Sequence, residues 1–359
     1  MERRASSMVQ GLDKKFWDGK RVLVTGHTGF KGSWLLHILS ELNAKIFGIS
    51  KAAEHYEDIF NRTKAHNLAE NYFFDITHLN ALKEAVEIIE PQIIIHMAAQ
   101  PLVIKGYQQP ITTFADNIMG TANLLSSALN IRSLEQILVI TTDKVYRDLQ
   151  TTLPYSENSI IGGDDPYSAS KACCELVVAS YRKSFYEQKG IFVSTARAGN
   201  VIGGGDWSQN RLIPDFFRSL FTGMSMTIRN PDQVRPWQHV LEPLVGYLMY
   251  IQRQSYAKGN IATELNFGPD QKQMTSVAEL MNRFNNLQLQ KIEMHLEPLT
   301  YKETSTLTLC SERAQSEIGW GPKLSLDSTV ELTNEWYHAS HNNDNMSEVT
   351  LNQIREYLE

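Results

Sequence analysis

The first strongly apolar segment of the chain opens Arg21-Val-Leu-Val-Thr-Gly-His-Thr-Gly-Phe-Lys-Gly-Ser-Trp-Leu-Leu36. Its apolar run Val22–Val24 is typical of a buried parallel strand, and that run ends just before Gly26. Glycines recur at Gly29 and Gly32, and an apolar pattern of helical period follows. Glycines allow close approach of a pyrophosphate, and the N–H groups that begin a helix attract an anion. The stretch therefore predicts a strand, a tight turn and a helix that bind a dinucleotide.

Strand-like and helix-like patterns alternate from this stretch as far as Arg197. Such alternation predicts an α/β fold, a Rossmann-type doubly wound parallel sheet with helices on both faces. Beyond Gly199 the patterns become shorter and mixed, which favours a smaller α+β substrate-binding domain. The predicted division is 16–198 for the dinucleotide-binding domain and 199–341 mainly for the substrate-binding domain, with some segments returning to the first. A C-terminal tail or helix takes 342–359.

Composition excludes several classes of protein. The net charge of −6 over 359 residues gives no reason to expect a nucleic-acid partner. No apolar run approaches the ~20 residues that cross a bilayer, so no membrane association is expected. The segment Met1–Gln10 lacks the apolar core of a signal peptide.

The cysteines and histidines point to neither disulfides nor a metal. Two of the three cysteines are adjacent, which argues against a disulfide framework and favours a reducing, cytoplasmic location: Cys173, Cys174 and Cys310. His338 and His341 are three residues apart, but no cysteine or acid accompanies them in a ligand pattern. We therefore predict no metal site.

A second motif is Tyr167-Ser-Ala-Ser-Lys171. Residues four apart share one face of a helix, so the phenol and the ammonium can address the same point. A nearby ammonium lowers the pKa of a tyrosine from its ordinary value of ~10, which makes it a usable base. The alternative is an exposed helix face without chemistry. The position of the motif after a glycine turn favours the catalytic pair.

With both motifs, the chain resembles the extended short-chain dehydrogenase/reductase family over essentially its whole length. Shorter matches support the resemblance: Asp75-Ile76, His96-x-Ala98-Ala99, Asn117, Thr142 and Arg197-x-x-Asn200. The resemblance implies an NAD(P) cofactor, with Asp75 at the adenine, Asn117 in a proton relay and Lys171 at the nicotinamide ribose. The implied cofactor-binding residues are Gly26, Thr28, Gly29, Phe30, Lys31, Gly32, Asp75, Ile76, Ala98, Ala99, Gln100, Asn117, Tyr167 and Lys171.

A third motif, Thr141-Thr-Asp-Lys-Val-Tyr146, narrows the resemblance. In nucleotide-sugar 4,6-dehydratases this place holds a threonine or serine, then an acid and then a base. The pair Asp143-Lys144 resembles the branch that acts on CDP-glucose, as do longer blocks: Gly26-His-Thr-Gly-Phe-Lys-Gly32, His96-Met-Ala-Ala-Gln-Pro-Leu102, Arg197-Ala-Gly-Asn-Val-Ile-Gly-Gly-Gly-Asp-Trp207 and Arg235-Pro-Trp-Gln-His-Val240. The implied catalytic residues are Thr142, Asp143, Lys144, Tyr167 and Lys171, and the implied substrate-binding residues are Asn200, Arg211 and Arg235.

The implied reaction converts CDP-glucose to CDP-4-keto-6-deoxyglucose. Carbon 4 is oxidised transiently, water leaves across C5 and C6, and the hydride returns to C6. Asp143 is the candidate acid for the departing 6-hydroxyl. Lys144 is either a base kept neutral by burial or a charged stabiliser of the enolate. Both roles stay open.

Other functions also stay open. They are a 4,6-dehydratase of another nucleotide sugar, such as a GDP-linked one, a nucleotide-sugar 4-epimerase, and a catalytically silent dinucleotide-binding regulator. Family members commonly pair through two long helices, here 111–130 and 166–188, so the resemblance implies a homodimer.

The cofactor motif departs from the usual NAD pattern at one point. An NAD site usually carries an acid about 20 residues past the glycines, on the ribose 2′-hydroxyl. Here Ile49-Ser50-Lys51 occupies that place, and the next acid is Glu54. NAD is the expected cofactor, and NADP is not excluded, because Lys51 suits a 2′-phosphate and a dehydratase regenerates its cofactor in every turnover.

Overall fold

The centre of the computed structural model is a seven-stranded parallel sheet. The structure describes residues 8–9, 11–53, 55–149, 151, 153–270, 274–297 and 307–359. Most of the Met1–Gln10 segment, for which no signal peptide was predicted, and the acid Glu54 lie outside these residues. Within the described ranges no helix is long and apolar enough to cross a membrane.

The strands in chain order are β1 Met8–Val9, β2 Leu12–Asp13, β3 Arg21–Thr25, β4 Lys45–Ser50, β5 Glu70–Phe73, β6 Ile93–His96, β7 Gln136–Ile140, β8 Phe192–Ala198, β9 Val201–Ile202, β10 Met226–Arg229, β11 Val234–Pro236, β12 Gln238–His239, β13 Glu264–Phe267, β14 Met274–Ser276 and β15 Met294–Glu297. The α-helices are α1 Lys14–Trp17, α2 Phe30–Glu41, α3 Ile59–Arg62, α4 Leu79–Ile89, α5 Val103–Gln108, α6 Pro110–Phe114, α7 Gly120–Ser127, α8 Pro166–Tyr181, α9 Leu212–Thr222, α10 Leu241–Tyr256, α11 Val277–Asn286, α12 Glu312–Ile318, α13 Leu326–His341 and α14 Met346–Leu358.

The strand order across the large sheet is β13-β8-β7-β6-β3-β4-β5. The chain runs outward from β3 in one direction through β4 and β5, and in the other through β6, β7 and β8. The order therefore reverses between β3 and β6, and in such sheets ligands bind at the carboxyl ends of the strands beside this reversal. The predicted Rossmann-type doubly wound sheet is confirmed.

The opening strand is apolar throughout because both faces of the sheet are covered. Val22 and Val24 belong to the hydrophobic cluster that includes Trp34 of α2. Leu23 points to the opposite face, into the cluster that includes Leu124 and Leu125 of α7. Alternate residues of β3 therefore pack on opposite faces of the sheet, although the sequence, being apolar throughout, does not show the alternation.

Residues beyond Gly199 build shorter pairings around the carboxyl end of the sheet. Parallel pairs join β12 to β9 and β10 to β15, and β11 pairs antiparallel with β14. Strand β13 returns to the large sheet and pairs with β8, a strand that the sequence reading did not identify. The C-terminal helix α14 lies against α2, where Arg355 donates to Glu41 at 2.9 Å. The proposed division into two domains and a tail remains a prediction.

Candidate active site

The glycine turn after β3 forms a backbone cradle in front of α2. Gly26 has φ +75°, and a β-carbon there would lie 2.7 Å from the backbone nitrogen of Ala98. A β-carbon at Gly32 would lie 2.2 Å from the carbonyl oxygen of Gly26. Gly29 is the N-cap of α2, whose first N–H groups receive no side-chain cap. A 12-residue helix with uncapped donors behind a glycine-rich turn fits the diphosphate of a dinucleotide.

The side chains of the turn connect it to its surroundings. The hydroxyl of Thr28 lies 2.8 Å from that of Ser50 and donates to the carbonyl of Lys51 at 2.9 Å. A β-carbon at Gly203 would lie 3.3 Å from the ring of Phe30, so the turn also contacts the loop after β9. These contacts place the end of β4 beside the glycine turn.

An ion pair between residues of the chain lies at the adenosine end of the predicted cofactor site. Lys51 Nζ lies 2.7 Å from Asp75 Oδ2 and 3.8 Å from Asp116. Burial would raise the pKa of Asp75, but hydrogen bonds from Lys51 and Thr77 outweigh it and lower the pKa to about 2. Ile76 next to it is buried. The cation that replaces the usual ribose acid is therefore neutralised by two carboxylates of the chain itself.

The loop after β6 is held from behind by Asn117. Its side chain accepts a bond from the backbone nitrogen of Gln100 at 2.8 Å and donates to Gln100 O at 3.2 Å. It also donates to Ser170 Oγ at 2.8 Å. A π-helical turn, Ala115–Met119, between α6 and α7 presents this side chain inward. Asn117 thus orients the loop Ala98–Gln100, and its predicted part in a proton relay stays a prediction.

The predicted catalytic residues meet at the carboxyl end of β7. A single helical turn, Asp143–Val145, follows Thr142, whose hydroxyl donates to Asp143 Oδ1 at 2.9 Å. Tyr167 lies at the start of α8, where Asp165 caps the helix by accepting from the Tyr167 and Ser168 N–H groups. Thr142 also forms a hydrogen-bonding interaction with the Tyr167 hydroxyl.

Asp143 has the environment of a carboxylic acid that keeps its proton. It is 3 % exposed, and burial raises its pKa, which Lys144, Thr142 and Arg235 partly oppose. Its Oδ2 is buried and finds no hydrogen-bond partner among the described residues. Lys144, in contrast, is only half-buried. The two neighbours on this turn therefore occupy very different surroundings.

The prediction that Lys171 lowers the pKa of Tyr167 is wrong for this structure. Burial raises the pKa of Tyr167 to about 12, although its interaction with Thr142 opposes the rise. Lys171 is itself buried, and its ammonium donates to the carbonyl of Ile140 at 3.1 Å. Burial lowers the pKa of Lys171. Sharing a helix face brought the two residues together, but the nearest acceptor for the ammonium is the end of β7.

The predicted substrate-binding residues surround this centre with positive charge. Arg235 on β11 is 5 % exposed and contributes to the electrostatics of Asp143. Arg211, the N-cap of α9, donates to Asp206 Oδ2 at 2.6 Å and influences Tyr167. Asn200, at the end of β8, accepts at its carbonyl from the backbone nitrogen of Gln238.

Sequence reasoning missed the second role open to Lys31. It was assigned to the cofactor alone, but its charge also interacts with Asp143, Arg211 and Lys171. Burial, with Arg211 adding to it, lowers the pKa of Lys31 to about 8. Lys31 lies on the first turn of α2, which begins at the switch point, and this position is the signal that would have indicated the second role. No group of metal-ligating side chains occurs in the described part of the chain.

Comparisons with known proteins agree with this arrangement. The family model described as GDP-mannose 4,6 dehydratase matches residues 23–333. A CDP-glucose 4,6-dehydratase of Salmonella typhimurium is 38% identical over 353 residues, which cover 97% of this chain and 98% of the relative. A dTDP-glucose 4,6-dehydratase of Haemophilus influenzae is 24% identical and covers 88% of this chain and 97% of the relative.

Solved structures share the fold. An epimerase of Methanothermobacter thermautotrophicus superposes with a TM-score of 0.82 at 21% identity, covering 95% of this chain and 98% of the other. An NAD-dependent NDP-hexosamine 5,6-dehydratase involved in tunicamycin biosynthesis gives a TM-score of 0.74 at 19% identity, covering 89% and 97%.

Proposed function

The chain belongs to the GDP-mannose 4,6 dehydratase family, and from this premise we propose that it is an NAD-dependent nucleotide-sugar 4,6-dehydratase that acts on CDP-glucose. The observation that carries the proposal is the catalytic group at the end of β7: a buried acid and a lysine on one turn, facing a tyrosine on α8. An alcohol oxidation alone needs the tyrosine. Elimination of water needs the acid and the lysine as well.

The first step removes hydrogen from the 4-hydroxyl carbon of the sugar. Tyr167 takes the hydroxyl proton, and Thr142 orients the phenol. A nicotinamide held by the glycine turn would supply the redox chemistry that the side chains lack: it would accept the hydride from C4 of the sugar and later return it to C6 of the sugar. Burial raises the pKa of Tyr167 to about 12, so its phenolate is a strong base but a minor species at neutral pH. Lys171 lies one helical turn away on the same helix, and its proposed role is to hold the nicotinamide ribose.

The second step removes water across C5 and C6. Asp143 donates its proton to the departing 6-hydroxyl, consistent with the raised pKa of this buried carboxyl. Elimination also needs an acceptor for the C5 proton, and the neutral amine of Lys144, the neighbour of Asp143 on the turn, is the proposed one. The ammonium that forms then stabilises the enolate and returns the proton to C5 when the hydride arrives at C6. Release of water leaves a C5–C6 double bond, and hydride at C6 with a proton at C5 completes the 4-keto-6-deoxy sugar.

The positively charged side chains around the catalytic centre are the proposed binding site for the diphosphate of the substrate. Arg235 is almost fully buried beside Asp143, and a guanidinium fork matches phosphate oxygens. Arg211 is held toward the centre by Asp206, and Asn200 is the third candidate contact. Lys31 adds a charge between the cofactor turn and this group. The cytidine base is assigned from the 38% identical relative, whose name specifies CDP-glucose.

NAD is the proposed cofactor, and the ion pairs of Lys51 support it. Lys51 is 60% exposed, and its ion pairs with Asp75 at 2.7 Å and Asp116 at 3.8 Å reduce the attraction that its charge offers to a 2′-phosphate. Two solved structures of the same fold, MoeE5 and the UDP-glucose 4-epimerase of Brucella ovis, are complexes with NAD. Activation of cofactor-stripped protein by NAD and by NADP, titrated side by side, tests this choice; a lower half-saturation concentration for NADP would refute it.

We further propose a cytoplasmic homodimer that pairs through the helices α5 to α8. These helices expose large apolar side chains, which is typical of an interface: Ile104, Tyr107, Ile111, Met119 and Leu176. All three cysteines are free thiols, as expected in a reducing compartment. Sedimentation equilibrium measures the mass; a monomer at micromolar concentration would contradict the dimer.

The function is tested by incubation with CDP-glucose and NAD. We expect a ketone with the absorbance of a 4-keto sugar in alkali and a mass lower by one water. A 4-epimerase would return an isomer of unchanged mass, and GDP-mannose in a parallel incubation tests the GDP-linked alternative. A silent regulator would bind NAD without any product. Lack of ketone from CDP-glucose in the presence of either cofactor would refute the proposal.

A further inference from the structure

A buried ion pair lies behind the catalytic turn, by which we mean Thr142, Asp143 and Lys144. Glu175 on α8 and Arg197 on β8 have side chains that are 3% and 2% exposed. Arg197 donates through Nε to Oε1 at 2.9 Å and through Nη2 to Oε2 at 2.8 Å. A buried pair often adds little stability relative to apolar residues of the same volume. The location of the pair behind the catalytic turn therefore says more about its role than its contribution to stability does.

The residue before the turn is attached to the carboxylate of this pair. The hydroxyl of Thr141 donates to Glu175 Oε1 at 2.5 Å. Thr195, on β8, donates to Oε2 at 2.7 Å. Burial would raise the pKa of Glu175, but the hydrogen bonds from Arg197 and the two threonines outweigh it and lower the pKa. The carboxylate stays ionised and accepts from three residues at once.

Tyr146, two residues after the turn, is hydrogen-bonded to the guanidinium of Arg197. Tyr146 Oη accepts from Arg197 Nη1 at 2.9 Å and donates to Asn266 Oδ1 at 2.7 Å. The amide of Asn266 is fixed in turn, because its Nδ2 donates to the carbonyls of Tyr155 at 3.0 Å and Cys310 at 3.2 Å. Every polar atom of this chain of contacts has a partner. Such a network restrains the tyrosine to one orientation.

We propose that Glu175 and Arg197 are positioning residues for the catalytic turn, which they hold at its two ends through Thr141 and Tyr146. The inference rests on the proposed dehydratase function, and it assigns the two steps of the reaction to different parts of the site. Oxidation at C4 depends mainly on Tyr167 and Lys171, which are part of α8. Elimination of water depends on Asp143 and Lys144, which are part of the turn.

A loosened turn should therefore slow elimination more than oxidation. The enzyme then holds the substrate at the stage where C4 is a ketone, the 6-hydroxyl is still attached and the nicotinamide is reduced. Reduced nicotinamide has its own absorbance, so the stall can be seen directly in the steady state. A role in stability alone would lower the amount of folded enzyme without changing this fraction.

The test compares Thr141→Val and Tyr146→Phe with the control Thr195→Val. Each variant removes one buried hydroxyl and keeps the shape of the side chain, and Thr195 bonds the same carboxylate from β8 rather than from the turn. Thermal unfolding without substrate should show comparable losses for the two threonine variants. Both test variants should lower kcat by about tenfold or more, with KM changed by less than about threefold, because small displacements of reacting groups are costly. Both should also raise the fraction of reduced nicotinamide, and Thr195→Val should not.

Two results would overturn the inference alone. One is wild-type kcat without accumulation of reduced nicotinamide in Thr141→Val and Tyr146→Phe. The other is an equal stall in Thr195→Val, because the stall would then not depend on the contacts that hold the catalytic turn. Wild-type turnover of CDP-glucose is measured first, because its absence would refute the proposed function itself, and this inference with it.

Discussion

Replacement of Asp143 by asparagine tests the proposed acid. Asparagine has nearly the same shape and keeps an oxygen for the bond that Thr142 donates at 2.9 Å, so packing and substrate binding should change little. What disappears is the proton donor. General acid catalysis is worth about 10²–10⁴ in rate, or roughly 3 to 5 kcal/mol of barrier. We therefore expect kcat for ketone formation to fall by that factor with KM nearly unchanged.

The pH dependence of activity is a second test of the same assignment, and its direction can be predicted. Burial raises the pKa of Asp143, and the acid works in its protonated form. Activity is therefore retained below this pKa and is lost as the pH rises through it, and the alkaline limb assigned to this group should vanish in Asp143→Asn. Asp215→Asn is the control, because burial also raises the pKa of that carboxyl, which lies on α9 and takes no part in the proposed reaction. A variant Asp143→Asn with kcat within about threefold of wild type would refute the assignment.

Three further predictions concern the lysine, the diphosphate site and the glycine cradle. Lys144→Ala should retain NAD binding by titration and lose most dehydration; undiminished ketone formation would remove Lys144 from the mechanism. Arg235→Ala should raise KM for the sugar nucleotide far more than KM for NAD, and equal increases would contradict its placement at the diphosphate. Gly32→Ala should lower the thermal midpoint and NAD affinity, because its β-carbon would lie 2.2 Å from a carbonyl oxygen, at a cost of about 1–3 kcal/mol or more. Gly29→Ala, with a 3.4 Å contact, is the matched control for the thermal midpoint, and equal losses of thermal midpoint in both variants would contradict the steric argument.

Local patterns predicted the sheet well. The strand before Gly26 and the helix after it are determined by neighbours in sequence, and the same is true of the cap and helix that carry Tyr167. The strand β13 was missed, because its four residues are too few to show a clear alternation of apolar and polar side chains. Its partner β8 lies far away in sequence, and pairing at that distance is a tertiary event.

Electrostatics was predicted less well than geometry. The four-residue spacing correctly placed Tyr167 and Lys171 on one helix, but it gives no information on burial, and burial raises the pKa of the tyrosine. Likewise, Glu175 follows Lys171 by four residues on the same helix face, yet nothing local shows that Arg197 lies opposite it. The sequence shows which groups share a face, whereas the solvent and charge around them depend on the assembled sheet.

The return of β13 to the large sheet has a consequence for how this chain can be divided. A fragment that ended at Ala198 would keep the glycine turn and helix α8, which carries Tyr167 and Lys171. It would lack β13, so β8 would become an exposed edge of the sheet. Exposed edges of parallel, apolar strands recruit other chains. Such a fragment should aggregate rather than bind NAD as an isolated module. The residues beyond Gly199 therefore complete the sheet to which the glycine turn belongs, and the chain is best expressed as one unit.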